Sequence, residues 1–114
     1  MEISEKIELA KQQLMFGQLD WAQFLCHQAL HSDRRYSDVL HVMGLIFHRI
    51  RKTHNAITLI SKAIAHNSRI PVYYYNLGFI LAASGENAKA IRAYRDSIAL
   101  KPDYAESINN LGLL

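Results

Sequence analysis

The chain has 114 residues, half of them hydrophobic, with 13 Lys and Arg against 10 Asp and Glu, six His and a single Cys. That much apolar surface offsets the entropy of chain ordering, which excludes a disordered chain, and the length suits one compact domain rather than two. No run approaches the roughly 18 apolar residues of a membrane span, the acidic start MEISEKIELAKQ is unlike a signal peptide, and Cys26 has no second cysteine for a disulfide or thiolate zinc site, so a cytoplasmic chain is expected, with Cys26 as a small buried apolar residue.

Taken in order, the apolar pattern divides into helix pairs. Residues 3–36 hold a first helix with Leu9 and Ala10, a break at Phe16-Gly17, and a second helix with Ala22, Cys26 and Ala29. Residues 37–70 place Leu40, Met43, Gly44 and Phe47 on one helical stripe, break at Arg51-Lys52, and continue with Ala56, Ile57, Ile60, Ala63 and Ile64 on the next. Residues 71–104 open on Pro71, carry Leu77, Gly78 and Leu81, break at Ser84-Gly85, and continue through Ala90, Tyr94 and Ser97 to Lys101-Pro102-Asp103. From residue 105 the segment AESINNLGLL begins a fourth first helix.

These units share one register. Gly44, Gly78 and Gly112 are 34 residues apart, as are Ala22, Ala56 and Ala90, and the columns Ala29, Ala63, Ser97 and Cys26, Ile60, Tyr94 fall in step. Small residues on facing helices allow two backbones to approach, and a pair that cannot cover its own apolar face must stack on neighbours. The reading is an all-α, right-handed α-solenoid of antiparallel helix pairs: three repeats plus the first helix of a fourth, in one domain over 1–114.

At these residues the sequence resembles the tetratricopeptide repeat (TPR) family. The third unit carries the resemblance best, with Tyr74, Leu77, Gly78, Leu81, Gly85, Ala90, Tyr94 and Pro102; the second lacks the proline, and the first is divergent. More narrowly, DVLHVMGLIF, YYYNLGFIL and AIRAYRDSIALKPDYAESINNLG look like the N-terminal arrays of bacterial O-GlcNAc transferase-like proteins and other repeat-bearing transferases. That likeness implies a recognition arm whose chemistry lies in another domain.

The resemblance implies a protein-protein interaction module that holds a protein or extended peptide on a concave face lined by the first helix of each pair. Carried onto this chain, that face includes Lys11 in the first unit, His41, Leu45, His48 and Arg49 in the second, Tyr75, Asn76 and Phe79 in the third, and Asn109 and Asn110 at the end. The family's basic clamp for a terminal carboxylate is missing, since Ile7, Lys11, Val72 and Asn76 stand at its places. Asn76 and Asn110 match an asparagine ladder that pairs with a peptide backbone, interrupted by Glu8 and Val42; they either read a peptide or bond neighbouring helices. The three consecutive tyrosines point about 100° apart on a helix, with Tyr74 expected in the core, Tyr75 in the groove and Tyr73 partly exposed.

Charge is uneven. Counting Lys and Arg against Asp and Glu, residues 1–33 carry two against five, 34–69 seven against one, and 70–114 four against four. The basic middle (Arg34, Arg35, Arg51, Lys52, Arg69 among others) admits nucleic acid as a rival partner, but these residues fall mostly at expected helix ends and turns, where dipole placement or simple solubility explains several of them. His27 and His31 share a helical face without a third ligand, so no metal is expected, and neither is a cofactor. No phosphate loop, nucleophile elbow or catalytic carboxylate pair is present, and the chain is read as non-enzymatic. The apolar side of Ile108, Leu111 and Leu114 leaves a self-assembling scaffold open as a further reading, with the C-terminal helix pairing two copies.

Overall fold

The computed structural model describes residues 2–29 and 36–114. Among the described residues there are seven α-helices and no strand: α1 (Ile3–Met15), α2 (Leu19–Ala29), α3 (Tyr36–Arg49), α4 (Thr53–His66), α5 (Pro71–Ala83), α6 (Asn87–Leu100) and α7 (Ala105–Gly112). They form antiparallel pairs α1/α2, α3/α4 and α5/α6, with α7 packed on α6, in a body of 40 × 26 × 21 Å. His31, Arg34 and Arg35 lie outside the described residues. No described helix is long and apolar enough to cross a membrane.

The turn inside each pair has one geometry. Gly17, Arg51 and Gly85, spaced by the repeat period, all have positive φ (78°, 64° and 84°). In each turn the following amide donates back to the helix: Gln18 N–H to the Gln13 carbonyl, Lys52 N–H to Phe47, and Glu86 N–H to Leu81, at 2.8–2.9 Å. These bonds satisfy carbonyls that a helix end otherwise leaves unpaired. Two of the three turns use glycine, for which a left-handed backbone carries no Cβ penalty; Arg51 carries that penalty.

Within pairs, contact is closest at the glycines. A Cβ on Gly44 would stand 2.5 Å from Ile60 Cγ1 and 3.2 Å from the Ala56 carbonyl oxygen, and one on Gly78 would stand 2.8 Å from the Tyr94 ring. In the first pair Ala10 replaces the glycine, and the facing residue shrinks to Cys26; both are buried in one cluster with Ala22 and Leu25. Burial pushes the Cys26 thiol up to about 12, so it packs as an inert apolar group. Among the described residues, nothing lies within 4 Å of where a Cβ on Gly112 would stand.

Between pairs, each later first helix inserts side chains into the pair before it. Val39, Val42 and Ile46 of α3 join the cluster of α1 and α2, and Tyr73 and Ile80 of α5 pack on Leu40, Ala63, Ala56 and Ile60. The Tyr73 hydroxyl donates to the Asp38 carboxylate and lies 3.2 Å from Ser37 Oγ. Tyr73 is therefore 1% exposed, not partly exposed as expected, whereas Tyr74, expected in the core, is half-buried and donates its hydroxyl to the Ser68 carbonyl at 2.9 Å. The reason is that α5 is apolar on almost every side, PVYYYNLGFILAA, so its periodicity singles out no face. On α7, Ser107 occupies the register of Tyr73 and meets Ser97 at 2.8 Å, both fully buried; that hydroxyl is what makes a serine tolerable where α4 has Ala63.

His41 belongs to the same joint. It is 5% exposed, tilted against the Tyr73 ring at 4.7 Å, and its Nε2 lies 2.8 Å from Asn76 Nδ2. An amide nitrogen only donates, so Nε2 accepts and the imidazole carries its proton on Nδ1. The expectation that His41 lines the open groove is thus corrected: it sits beneath the surface and ties α3 to α5. Burial, aided by Lys11 and opposed by Asp38, holds its pKa down to about 4 from 6.5.

Three outcomes are expected in chemical denaturation. Gly44→Ala lowers stability by about 1–3 kcal/mol, because overpacking against Ile60 and the α4 backbone outweighs the ~1 kcal/mol gain in helix propensity. Arg51→Gly raises it by about 0.5–1 kcal/mol, the left-handed strain being larger than the entropy a glycine adds to the unfolded chain. The unfolded chain protonates His41 near pH 6.5 while the folded one resists to about pH 4, so stability drops across that window as pH falls, by up to ~3 kcal/mol. His41→Gln, which keeps an acceptor for Asn76, flattens that loss.

Candidate functional site

The first helices α1, α3 and α5 lie side by side, α1 against α3 and α3 against α5, and their shared surface is the one that the resemblance implies as the inner face. Leu14 and Met15 of α1, Leu45, His48 and Arg49 of α3, and Asn76, Phe79 and Ile80 of α5 line a niche of about 230 Å³. That is below the roughly 300–1,000 Å³ of pockets that enclose a whole small molecule, and suits a single side chain better. Its walls are mainly aliphatic and aromatic.

Arg49 is held at the rim. Its Nη1 donates to the Leu14 carbonyl at 3.0 Å, at the C-terminal end of α1, where the partial negative charge of the helix end favours a cation. The guanidinium keeps further donors that face solvent. His48 meets Phe79 edge-on, ring centroids 5.9 Å apart, and its Nδ1 is buried without a hydrogen-bond partner.

From Phe79, itself 46% exposed, the aromatic surface runs on toward the C-terminal end. Tyr75 lies 6.5 Å from Phe79, 6.1 Å from the buried Tyr94 ring beneath it, and stacks on Tyr104 at 5.5 Å with 27° between planes. Lys101 Nζ sits 5.1 Å from the centroid of Tyr104. Burial raises the Tyr94 and Tyr104 phenols above the usual tyrosine range, so both stay neutral donors at physiological pH. His48, Phe79, Tyr75 and Tyr104 thus form a continuous run of rings contributed by α3, α5 and the turn before α7.

The structure brings most of the sequence-derived positions to this face and separates others. Leu45, His48, Arg49 and Phe79 meet around the niche, and Tyr75 is the hub of the ring run. Lys11 is half-buried on α1 and ion-paired with Glu8 at 3.3 Å. Asn76 donates its amide inward to His41, and Asn110 donates toward the Tyr94 hydroxyl at 3.4 Å, so both engage neighbouring helices. Asn109 is exposed on α7. Tyr104 was missed, because it precedes α7 and follows no first-helix spacing; its only sequence signal is an aromatic beside Pro102 and Asp103. Leu111 packs with Leu81 and Tyr94, while Ile108 and Leu114 remain 44% exposed. Among the described residues no three of His, Cys, Asp and Glu gather as a metal-holding group.

Residues 71–104 match the family model described as tetratricopeptide repeat. No curated protein sequence matches the chain. Among solved structures it is similar to MamA (26% identity, TM-score 0.83, 98% of this chain and 66% of that one). It is similar also to an O-GlcNAc transferase of Thermobaculum terrenum (27%, 0.89, 97% and 21%). A third likeness is to the first TPR of Spaghetti (RPAP3), solved with an HSP90 peptide (19%, 0.86, 97% and 88%), where the identity supports the fold alone. The chain thus spans just under two thirds of the MamA chain and about a fifth of the transferase. With helix pairs nested at Gly44 and Gly78, the chain is built as an all-α solenoid of antiparallel helix pairs, of which residues 71–104 match the tetratricopeptide repeat.

Proposed function

We propose that this chain is a protein-protein interaction module whose inner face receives an extended segment of another polypeptide. The observation that carries this reading is the joined niche and ring run: a hollow sized for one side chain opens onto four aromatic rings in a row. Rigid aromatic anchors give large contact area at low entropy cost, and hot spots of binding concentrate on such residues. Arg49 and Lys101 flank the run with cationic donors, which suit the carbonyls and carboxylates of a bound chain. The reading is supported by a similar array, the first TPR of Spaghetti (RPAP3), which is solved with an HSP90 peptide bound. The two ladder asparagines are engaged by His41 and Tyr94, so side-chain pockets rather than an amide ladder supply recognition.

A second reading, the recognition arm of a larger transferase, is favoured by the likeness to the T. terrenum enzyme, of which the matched part is 21%. The coding sequence beyond Leu114 tests it: a glycosyltransferase domain supports it, and a stop codon ends it.

The primary reading is tested by affinity capture with wild type, Phe79→Asp, and Thr58→Asp as a control on the exposed face of α4. Phe79 is nearly half exposed, so Phe79→Asp should melt within a few degrees of wild type. Partners held by wild type and Thr58→Asp are expected to be lost from Phe79→Asp. Undiminished capture by Phe79→Asp would remove the inner face as the site.

A further inference from the structure

The solenoid supplies its own control for judging which surface residues the fold requires. Lys89, Arg92 and Ala93 of α6 form one wall of an outer hollow of about 610 Å³, whose opposite wall is α4 (Ile57, Ser61 and Ile64) and whose floor is Leu77 and Leu81 of α5. One period back, the places of Lys89 and Arg92 are held by Asn55 and Thr58; two periods back, by Trp21 and Phe24. The second and third pairs therefore expose polar residues there. The first pair exposes an aromatic pair, 48% and 49% accessible, with rings stacked at 5.4 Å and 15°. Among the described residues, no helix faces this wall.

The adjoining helix departs from its register as well. The positions at which α3 buries Val39, Val42 and Ile46 in the preceding pair correspond on α1 to Glu5, Glu8 and Gln12, all exposed. This end of the solenoid is thus an aromatic strip beside a polar, acidic one. Among the described residues of α1 and α2 and the residue before α1, its charges are Glu2, Glu5, Glu8 and Asp20 against Lys6 and Lys11, and Lys11 is already paired with Glu8. Stacking of an apolar helix face here would bury Glu5 and Gln12 together with the Glu8–Lys11 ion pair, at a desolvation cost that an apolar surface does not offset. A helix with an apolar stripe flanked by lysine or arginine would instead cover Trp21 and Phe24 while setting its cations against Glu5 and Asp20.

We propose that the Trp21–Phe24 stack with its acidic flank is a second interaction surface, separate from the inner groove, that takes a basic amphipathic helix of a partner protein.

Trp21 is the only tryptophan in the chain, so its fluorescence reports on this surface directly. The probes are a peptide of about four helical turns with a leucine stripe and lysine elsewhere, and its leucine-glutamate counterpart. With the full chain, the lysine peptide is expected to give a saturable blue shift of Trp21 emission, weakened about tenfold by Phe24→Ala, by Glu5→Lys and by high salt, and unchanged by Phe79→Asp. The glutamate peptide is expected to give none. Equal response to both peptides, no response to either, or loss of the response in Phe79→Asp would overturn the proposal. So would a blue shift that grows with protein concentration alone, since a second copy would then be what covers the stack.

Discussion

The structure depends on how closely two helix backbones approach within each pair. At Gly44 and Gly78 the facing Ile60 and Tyr94 occupy the space a Cβ would fill, and in the first pair Ala10 is accommodated by the smaller Cys26. That closeness lets Ala22, Ala56 and Ala90 sit at zero exposure and bears on how the next first helix enters. It is a constraint on sums of volumes rather than on single residues, which is why glycine can be exchanged for alanine only where its partner shrinks.

The inner face is a consequence of that stacking. Residues separated by about one repeat period become neighbours: Leu14 with Arg49, His48 with Phe79, His41 with Asn76. Tyr75 joins the core to the groove, since one side rests on buried Tyr94 and another stacks on Tyr104. Polar joints hold the stack in register where apolar packing alone is less directional: Tyr73 to Asp38, His41 to Asn76, and Ser97 to Ser107. Two of these polar groups had been counted as ligand-reading residues, and in both the neighbouring helix supplies the partner first.

The two ends of the groove differ in chemistry. Arg49 and the niche lie toward the N-terminal pairs, and the tyrosines toward α7, so this face offers a cation beside an aliphatic hollow at one end and phenolic rings beside Lys101 at the other. At the places of Lys89 and Arg92 the outer surface is polar in the second and third pairs and aromatic in the first, a contrast that the repeat itself makes visible. Uneven charge along the chain follows the same division, acidic in the first third and basic in the middle.

The 34-residue period, the antiparallel pairs, the breaks at Gly17 and Gly85 and the close approach at Gly44 and Gly78 were all legible in the sequence, because each is a local requirement on residue size or backbone freedom. Arg51 shows that the period persists even where the residue does not favour it. The faces of α5 were not legible: a helix flanked by α3, α4, α6 and α7 is apolar on nearly every side, and periodicity carries no information about direction. Tyr104 joined the site only through the fold, since its ring reaches Tyr75 from a turn. Sequence by itself determined the helix pairs and their common register; the tertiary structure decided which side chains of the first helices are engaged across the stack and which stay exposed, because hydrogen bonds and ring contacts across the stack depend on distances that no single helix contains.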